Sequence, residues 1–198
     1  MEPSNPTSVE LVAAPTLTLK QRPAHSDNFS HAKRTPRFIV LHATHGAEGI
    51  NKDEQGSVEI ANPLPKGKRK SYHYIVDADS ATCCVEAVYT AWHAGKTGNQ
   101  LGIGIEICGR ADQTLEQWLD QYSLPTLQNA IRLCVDLCRE WRFPAVLLDQ
   151  QALLAGHSGI TTHAIVSHTW KDSDHWDPGP GFPLNPFIEA VKRELVTP

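Results

Sequence analysis

The chain has one methionine, five cysteines and 7% aromatic residues in 198, and its formal net charge is only −4. Each scarcity excludes something. The cysteines are odd in number and unpaired in spacing, with Cys83 and Cys84 adjacent and Cys134 and Cys138 one helical turn apart, so a disulfide framework is not expected. No apolar run approaches the roughly 20 residues of a membrane-spanning helix, and the stretch from Met1 to Pro6 lacks the basic start and apolar core of a secretory leader. The expectation is synthesis in the cytoplasm without a signal peptide and with no membrane partner. No internal repeat is visible. Residues 1–71 hold 10 Lys/Arg against 7 Asp/Glu, while the remainder holds 8 against 15. An acidic body argues against a nucleic-acid partner. The one basic cluster, Lys66-Gly67-Lys68-Arg69-Lys70, reads as a solvated loop leading into a strand, with contact to an anionic polymer as its other reading.

What is present fits one well-buried α/β core, since 40% of the residues are apolar and 20% charged and the length is short for two domains. Residues 1–34 lack periodicity and are rich in Pro, Ser and Thr, which reads as an N-terminal arm or linker. The domain then runs over 35–198. The apolar run 38–41 predicts a buried strand, and residues 57–62 a short helix ending before Pro63. Two strands are expected over 71–76 and 84–88, joined by a turn at 77–80, and another over 103–107 between glycines. Residues 126–141 carry Leu127, Ala130, Ile131, Cys134, Leu137, Cys138 and Trp141, a wide stripe that must face a sheet. Cys134 and Cys138 are therefore read as packing. A helix over 185–195 closes the domain.

The segment Gly159-Ile160-Thr161-Thr162-His163, running on to His175-Trp176-Asp177-Pro178-Gly179-Pro180, sets two imidazoles and a carboxylate just before a stiff Pro/Gly turn. A catalytic zinc takes three such ligands and leaves a fourth position open. A further ligand is available at His42, delivered by the end of the strand over 38–41, whereas His45 reads as a loop residue. Asp177 is the preferred carboxylate because the prolines beyond it limit the entropy lost on binding a metal. Asp172 and Asp174 read as solvated loop charges. His157, His163 and His168 are all candidates for the second histidine. Glu106, between Ile105 and Ile107, is out of place on a core strand unless it faces a cavity, the other reading being a solvated sheet face.

Four blocks, in order, carry a resemblance: Ile39-Val40-Leu41-His42, then Ser71-Tyr72-His73-Tyr74, then Ala91-Trp92-His93-Ala94-Gly95 with Gly102-Ile103-Gly104-Ile105-Glu106, and finally the His163 to Pro180 segment. Together they resemble the zinc-dependent N-acetylmuramoyl-L-alanine amidases of type 2, a family of phage endolysins, bacterial recycling amidases and peptidoglycan recognition proteins. The resemblance implies an α/β domain with a central mixed β-sheet flanked by helices and a Zn2+ ion in a surface groove. It implies His42, His163 and Asp177 as metal ligands. His163 is favoured over His168 by the aliphatic and small residues that follow it, although the 13 residues between His163 and Asp177 make a long gap, read as an insertion. Some relatives carry cysteine in place of Asp177.

By the same resemblance Glu106 is the general base and acid, and His175 stands where relatives often carry a lysine that stabilises an oxyanion. Tyr72 matches a tyrosine that contributes to the site in some phage amidases. Trp92 and His93 are expected to line the groove for glycan and peptide. The implied reaction cleaves the amide joining N-acetylmuramic acid to L-alanine in peptidoglycan. A phage endolysin, monomeric and acting on the wall after holin-type release, is the expectation. A non-catalytic peptidoglycan-binding module and a host recycling amidase are the alternatives.

Overall fold

Two strands of contrasting composition form the centre of the protein. In the computed structural model, which describes residues 10–196, β3 (Phe38–Ala43) and β7 (Gly102–Ile107) lie side by side and parallel, with His42 opposite Glu106. Side chains alternate along a strand. Ile39 and Leu41 of β3 and Ile103, Ile105 and Ile107 of β7 point to one face and are fully buried there. Val40 and His42, with Gly104 and Glu106, occupy the other. The odd positions build the main core, Phe38 and Val40 pack a second apolar cluster on the other face, and His42 and Glu106 at the strand ends are available for a site.

Four further strands complete the sheet: β1 (Leu19–Gln21), β4 (Tyr74–Val76), β5 (Ala81–Cys83) and β8 (Gly159–Thr162). The order is β1-β5-β4-β7-β3-β8, and only the β4–β5 pair is antiparallel. A small ribbon pairs β2 (Phe29–Ser30) with β6 (Thr90–Ala91). The isoleucine face is covered by α4 (Leu124–Trp141) and α7 (Leu184–Val196). The opposite face carries α1 (Lys52–Ala61), α2 (Gly95–Leu101) and α6 (His163–Trp170). Short helices α3 (Leu115–Trp118) and α5 (Gln150–Leu154) fill connections. The fold is thus a single α/β domain with a central mixed sheet flanked by helices, as expected.

The stripe predicted on 126–141 is buried along α4, where Leu127, Ala130, Ile131 and Cys134 have no exposure. All five cysteines are free and buried. The second strand of the hairpin begins three residues earlier than expected. The Asp77 carboxylate accepts from the backbone N–H groups of Asp79 and Ser80 (both 3.1 Å), so the turn closes at Ser80 and the strand resumes at once. It stops at Cys83 because Cys84 and Val85 both donate to the carbonyl of His73. The other oxygen of Asp77 accepts from Lys52 and Asp53 N–H (2.5 and 3.1 Å), capping α1 from outside and starting it five residues before the predicted position. Within the segment expected as an arm, residues 19–21 add the edge strand β1 and Leu11 is buried.

Candidate metal centre

Functional side chains collect at the carboxyl ends of the parallel strands, where open α/β sheets commonly bind ligands. β3 delivers His42 and β7 delivers Glu106 beside it. β8 ends at Thr162, so that His163 opens α6, and the Thr162 hydroxyl accepts from Ile165 N–H (3.3 Å) as the helix cap. The loop after α6 brings Asp177 back, and its carbonyl accepts from Ala164 N–H (2.9 Å). Gly179 makes that return possible. Its φ is +93° and a Cβ there would collide with the carbonyl of Ala111.

His42 Nδ1 lies 3.2 Å from Asp177 Oδ2, and His163 Nδ1 lies 3.2 Å from Asp177 Oδ1. One ligand atom from each of the three buried residues falls within 4.8 Å of the others. The residues fit a metal on an observation of their own: His163 Nδ1 is buried and, though 3.2 Å from Asp177 Oδ1, makes no hydrogen bond. A buried polar atom left unpaired is costly, and two imidazoles with a carboxylate are the donor set of a catalytic zinc. Burial, above all, lowers the pKa of His42 to about 4, so its imidazole is neutral and able to ligate. The two rival histidines lie elsewhere. His168 is exposed at the far end of α6 and His157 is exposed in the loop before β8.

His175 is exposed, stacks on His163 with centroids 4.4 Å apart, and sets Nδ1 3.5 Å from Asp177 Oδ1. Glu106 has its pKa pushed up to about 8, first by burial and then by the charge of Asp177. Tyr72 is buried with its phenol raised by the same desolvation, so it keeps its proton. All of these residues, with Trp92 and His93, line one groove of about 860 Å³. The Arg69 guanidinium sits 5.0 Å from the Trp92 ring centroid, and Lys70 pairs with Glu59 at 2.9 Å, so part of the basic cluster edges the groove.

Sequence reasoning placed His93 at the groove and Asp172 in a solvated loop, but missed the contacts by which they and Ser173 shape this site. His93 Nδ1 lies 2.9 Å from His42 Nε2. Ser173 Oγ lies 3.3 Å from His163 Nε2, and Asp172 accepts from Thr97 N–H at the start of α2 (3.1 Å). Asp172 thereby anchors the loop that was read as an insertion. The available signal was Gly104, whose missing side chain leaves room on a buried strand for the His93 ring.

An α/β domain with two histidines and an aspartate converging beside a half-buried glutamic acid has the outline of a hydrolase, with a cluster that could hold a metal. Residues 32–180 match the N-acetylmuramoyl-L-alanine amidase family, and the chain belongs to it. The N-acetylmuramoyl-L-alanine amidase CwlH of Bacillus subtilis (strain 168) is 32% identical over 108 residues, which are 49% of this chain and 42% of that protein; the match thus spans less than half of the curated relative. Among solved structures, the Staphylococcus aureus hydrolase AmiA superposes with a TM-score of 0.67 at 18% identity, covering 93% of this chain and 85% of that one. A mutant endolysin from Bacillus subtilis gives 0.63 at 20% identity, covering 89% and 99%. Both likenesses concern the fold.

Proposed function

We propose that the protein is a zinc-dependent N-acetylmuramoyl-L-alanine amidase that cleaves peptidoglycan between the lactyl group of N-acetylmuramic acid and L-alanine. The observation that carries this reading is the buried convergence of His42, His163 and Asp177, with one nitrogen unpaired, on the same sheet face as Glu106. Zinc held by these three residues would acidify a water and polarise the scissile carbonyl. Glu106 takes the proton of the attacking water on a carboxylate oxygen and passes it to the departing amine nitrogen. A pKa near 8 suits a group that must both accept and release a proton near neutrality. His175, exposed at the groove beside Asp177, donates to the oxyanion that forms on the substrate, and the protonated hydroxyl of Tyr72, lining the same groove, assists. Trp92 and His93 border the space for the glycan and stem peptide.

The groove volume of about 860 Å³ is at the upper end of ordinary ligand sites, room enough for a sugar with its peptide. We assign the protein to wall degradation as a monomeric phage endolysin released by a holin, with host recycling as the alternative setting. Among the described residues no helix is long and apolar enough to cross a membrane. The test is digestion of purified sacculi, followed by mass spectrometry. Stem peptides beginning with L-alanine are expected; new reducing sugar ends, or no products from an active-site-intact and zinc-loaded preparation, would overturn the reading. Comparison with soluble muropeptides separates the settings, because an endolysin must act on intact sacculi.

A further inference from the structure

His93 touches no other chain segment by accident. Its ring lies flat over Gly104, where a Cβ would come within 2.6 Å of its Cγ and Nδ1. Its own N–H and that of Ala94 both donate to Asn99 Oδ1 (2.7 Å each). Its Nε2 faces the carbonyl of Gly102 at 3.3 Å. That carbonyl also accepts from Arg34 Nη2 at 2.9 Å. A carbonyl oxygen only accepts, so Nε2 of His93 carries the hydrogen. In a neutral ring Nδ1 is then a lone pair.

The assignment propagates. His42 Nε2, 2.9 Å from that lone pair, must be the donor, which leaves His42 Nδ1 without a hydrogen and aimed at Asp177 Oδ2. On the other side of the site His163 has as its neighbour a hydroxyl, which can donate or accept. Its Nε2 meets Ser173 Oγ, which in turn contacts Ser167 Oγ at 2.5 Å, and its Nδ1 is the unpaired atom turned to Asp177.

We propose that His93 is a positioning residue that locks His42 in the Nε2–H tautomer and so presents its Nδ1 lone pair to the metal. This rests on the metal-centre reading of His42, His163 and Asp177. It assigns His93 a task beyond bordering the groove. Outer partners of metal-bound histidines act by fixing tautomer and ring orientation, and their loss commonly weakens metal binding by about 10- to 100-fold.

The experiment has two readouts. In metal-free protein labelled with 15N-histidine, long-range nitrogen–proton NMR spectra should show His42 as the Nε2–H tautomer, and His93→Phe should turn that signal into a mixture. Zinc affinity, measured by competition with a chromophoric chelator, should fall about 10- to 100-fold in His93→Phe. His93→Asn, whose Oδ1 replaces the Nδ1 acceptor, should recover most of the loss. A merely packing role predicts the opposite order, since phenylalanine fills the space and asparagine does not. Wild-type protein with the Nδ1–H tautomer at His42, or His93→Phe with unchanged zinc affinity, would overturn the proposal. Wild-type protein with the tautomer in place but no zinc affinity would overturn the metal-centre reading alone. Circular dichroism melting of each variant in chelator identifies any that fail to fold, and the His42 tautomer in the wild-type protein then decides the proposal.

Discussion

Replacing Glu106 by glutamine is expected to stabilise the fold while destroying activity. Burial and the nearby Asp177 charge raise the Glu106 pKa from an ordinary 4.5 to about 8, so the folded state binds a proton that the unfolded chain releases. Between those two values stability falls as pH rises, because the unfolded state binds fewer protons there. The loss begins near pH 4.5 and is complete just above pH 8. One pH unit is worth about 1.4 kcal/mol, so complete exclusion of water would cost roughly 3 kcal/mol at pH 7. Glu106 is only half-buried and borders an open groove, and solvent screening reduces this to on the order of 1–2 kcal/mol. Glutamine keeps the shape and never ionises. In chelator, urea melts at pH 4.5, 6, 7 and 8 should show wild type and Glu106→Gln equal at the lowest pH and diverging above it, with the variant more stable. Hydrolysis of peptidoglycan by the zinc-loaded variant should fall by at least about 10²-fold. A variant no more stable at pH 8 than at pH 4.5, relative to wild type, would refute the assignment of a strained carboxyl to this position.

Elemental analysis should find one zinc per wild-type chain; His42→Ala, His163→Ala and Asp177→Ala should lose it, whereas His168→Ala should keep it. His175→Ala should retain zinc in the same assay yet lose on the order of 10²-fold in turnover, the usual scale for one oxyanion donor, and His175→Lys should recover part of it. Gly104→Ala places a methyl against the His93 ring, and overpacking of this kind should lower stability by about 1–3 kcal/mol, read as a fall in the urea midpoint. Leu127→Ala, fully buried under the isoleucine face, should cost about 2–5 kcal/mol in the same measurement without altering the zinc stoichiometry.

The long elements were legible because each carries many turns or residues of one period. The α4 stripe and the apolar run of β3 are of this kind, and Glu106 stood out because it interrupts an otherwise apolar alternation. Short helices such as α2 and α5 offer too few residues for a period to emerge. They are set by tertiary partners, as when Asp172 meets the first turn of α2. The hairpin boundary moved because one carboxylate, Asp77, serves both a turn and a helix start 25 residues away, a link that no local pattern encodes. The cluster that could hold a metal was legible as residue types, but the choice of His163 came from the family pattern rather than spacing. The support beneath it was not legible, since His93 and His42 are 51 positions apart and meet only because β3 and β7 are neighbours.

The alternation along β7 has a further consequence, for how the protein tolerates change. Ile103, Ile105 and Ile107 face α4, while Glu106 faces the groove and Gly104 lies under the His93 ring, so one six-residue strand answers to two separate demands. A saturation scan across it would divide by parity. Odd positions would accept other aliphatic residues at a modest cost in melting temperature, whereas Glu106 would be intolerant for reasons unrelated to stability and Gly104 because a side chain there meets the His93 ring. Variants selected for heat resistance and variants selected for new wall chemistry would therefore accumulate on opposite sides of the same sheet, and the two sets should combine with little interference.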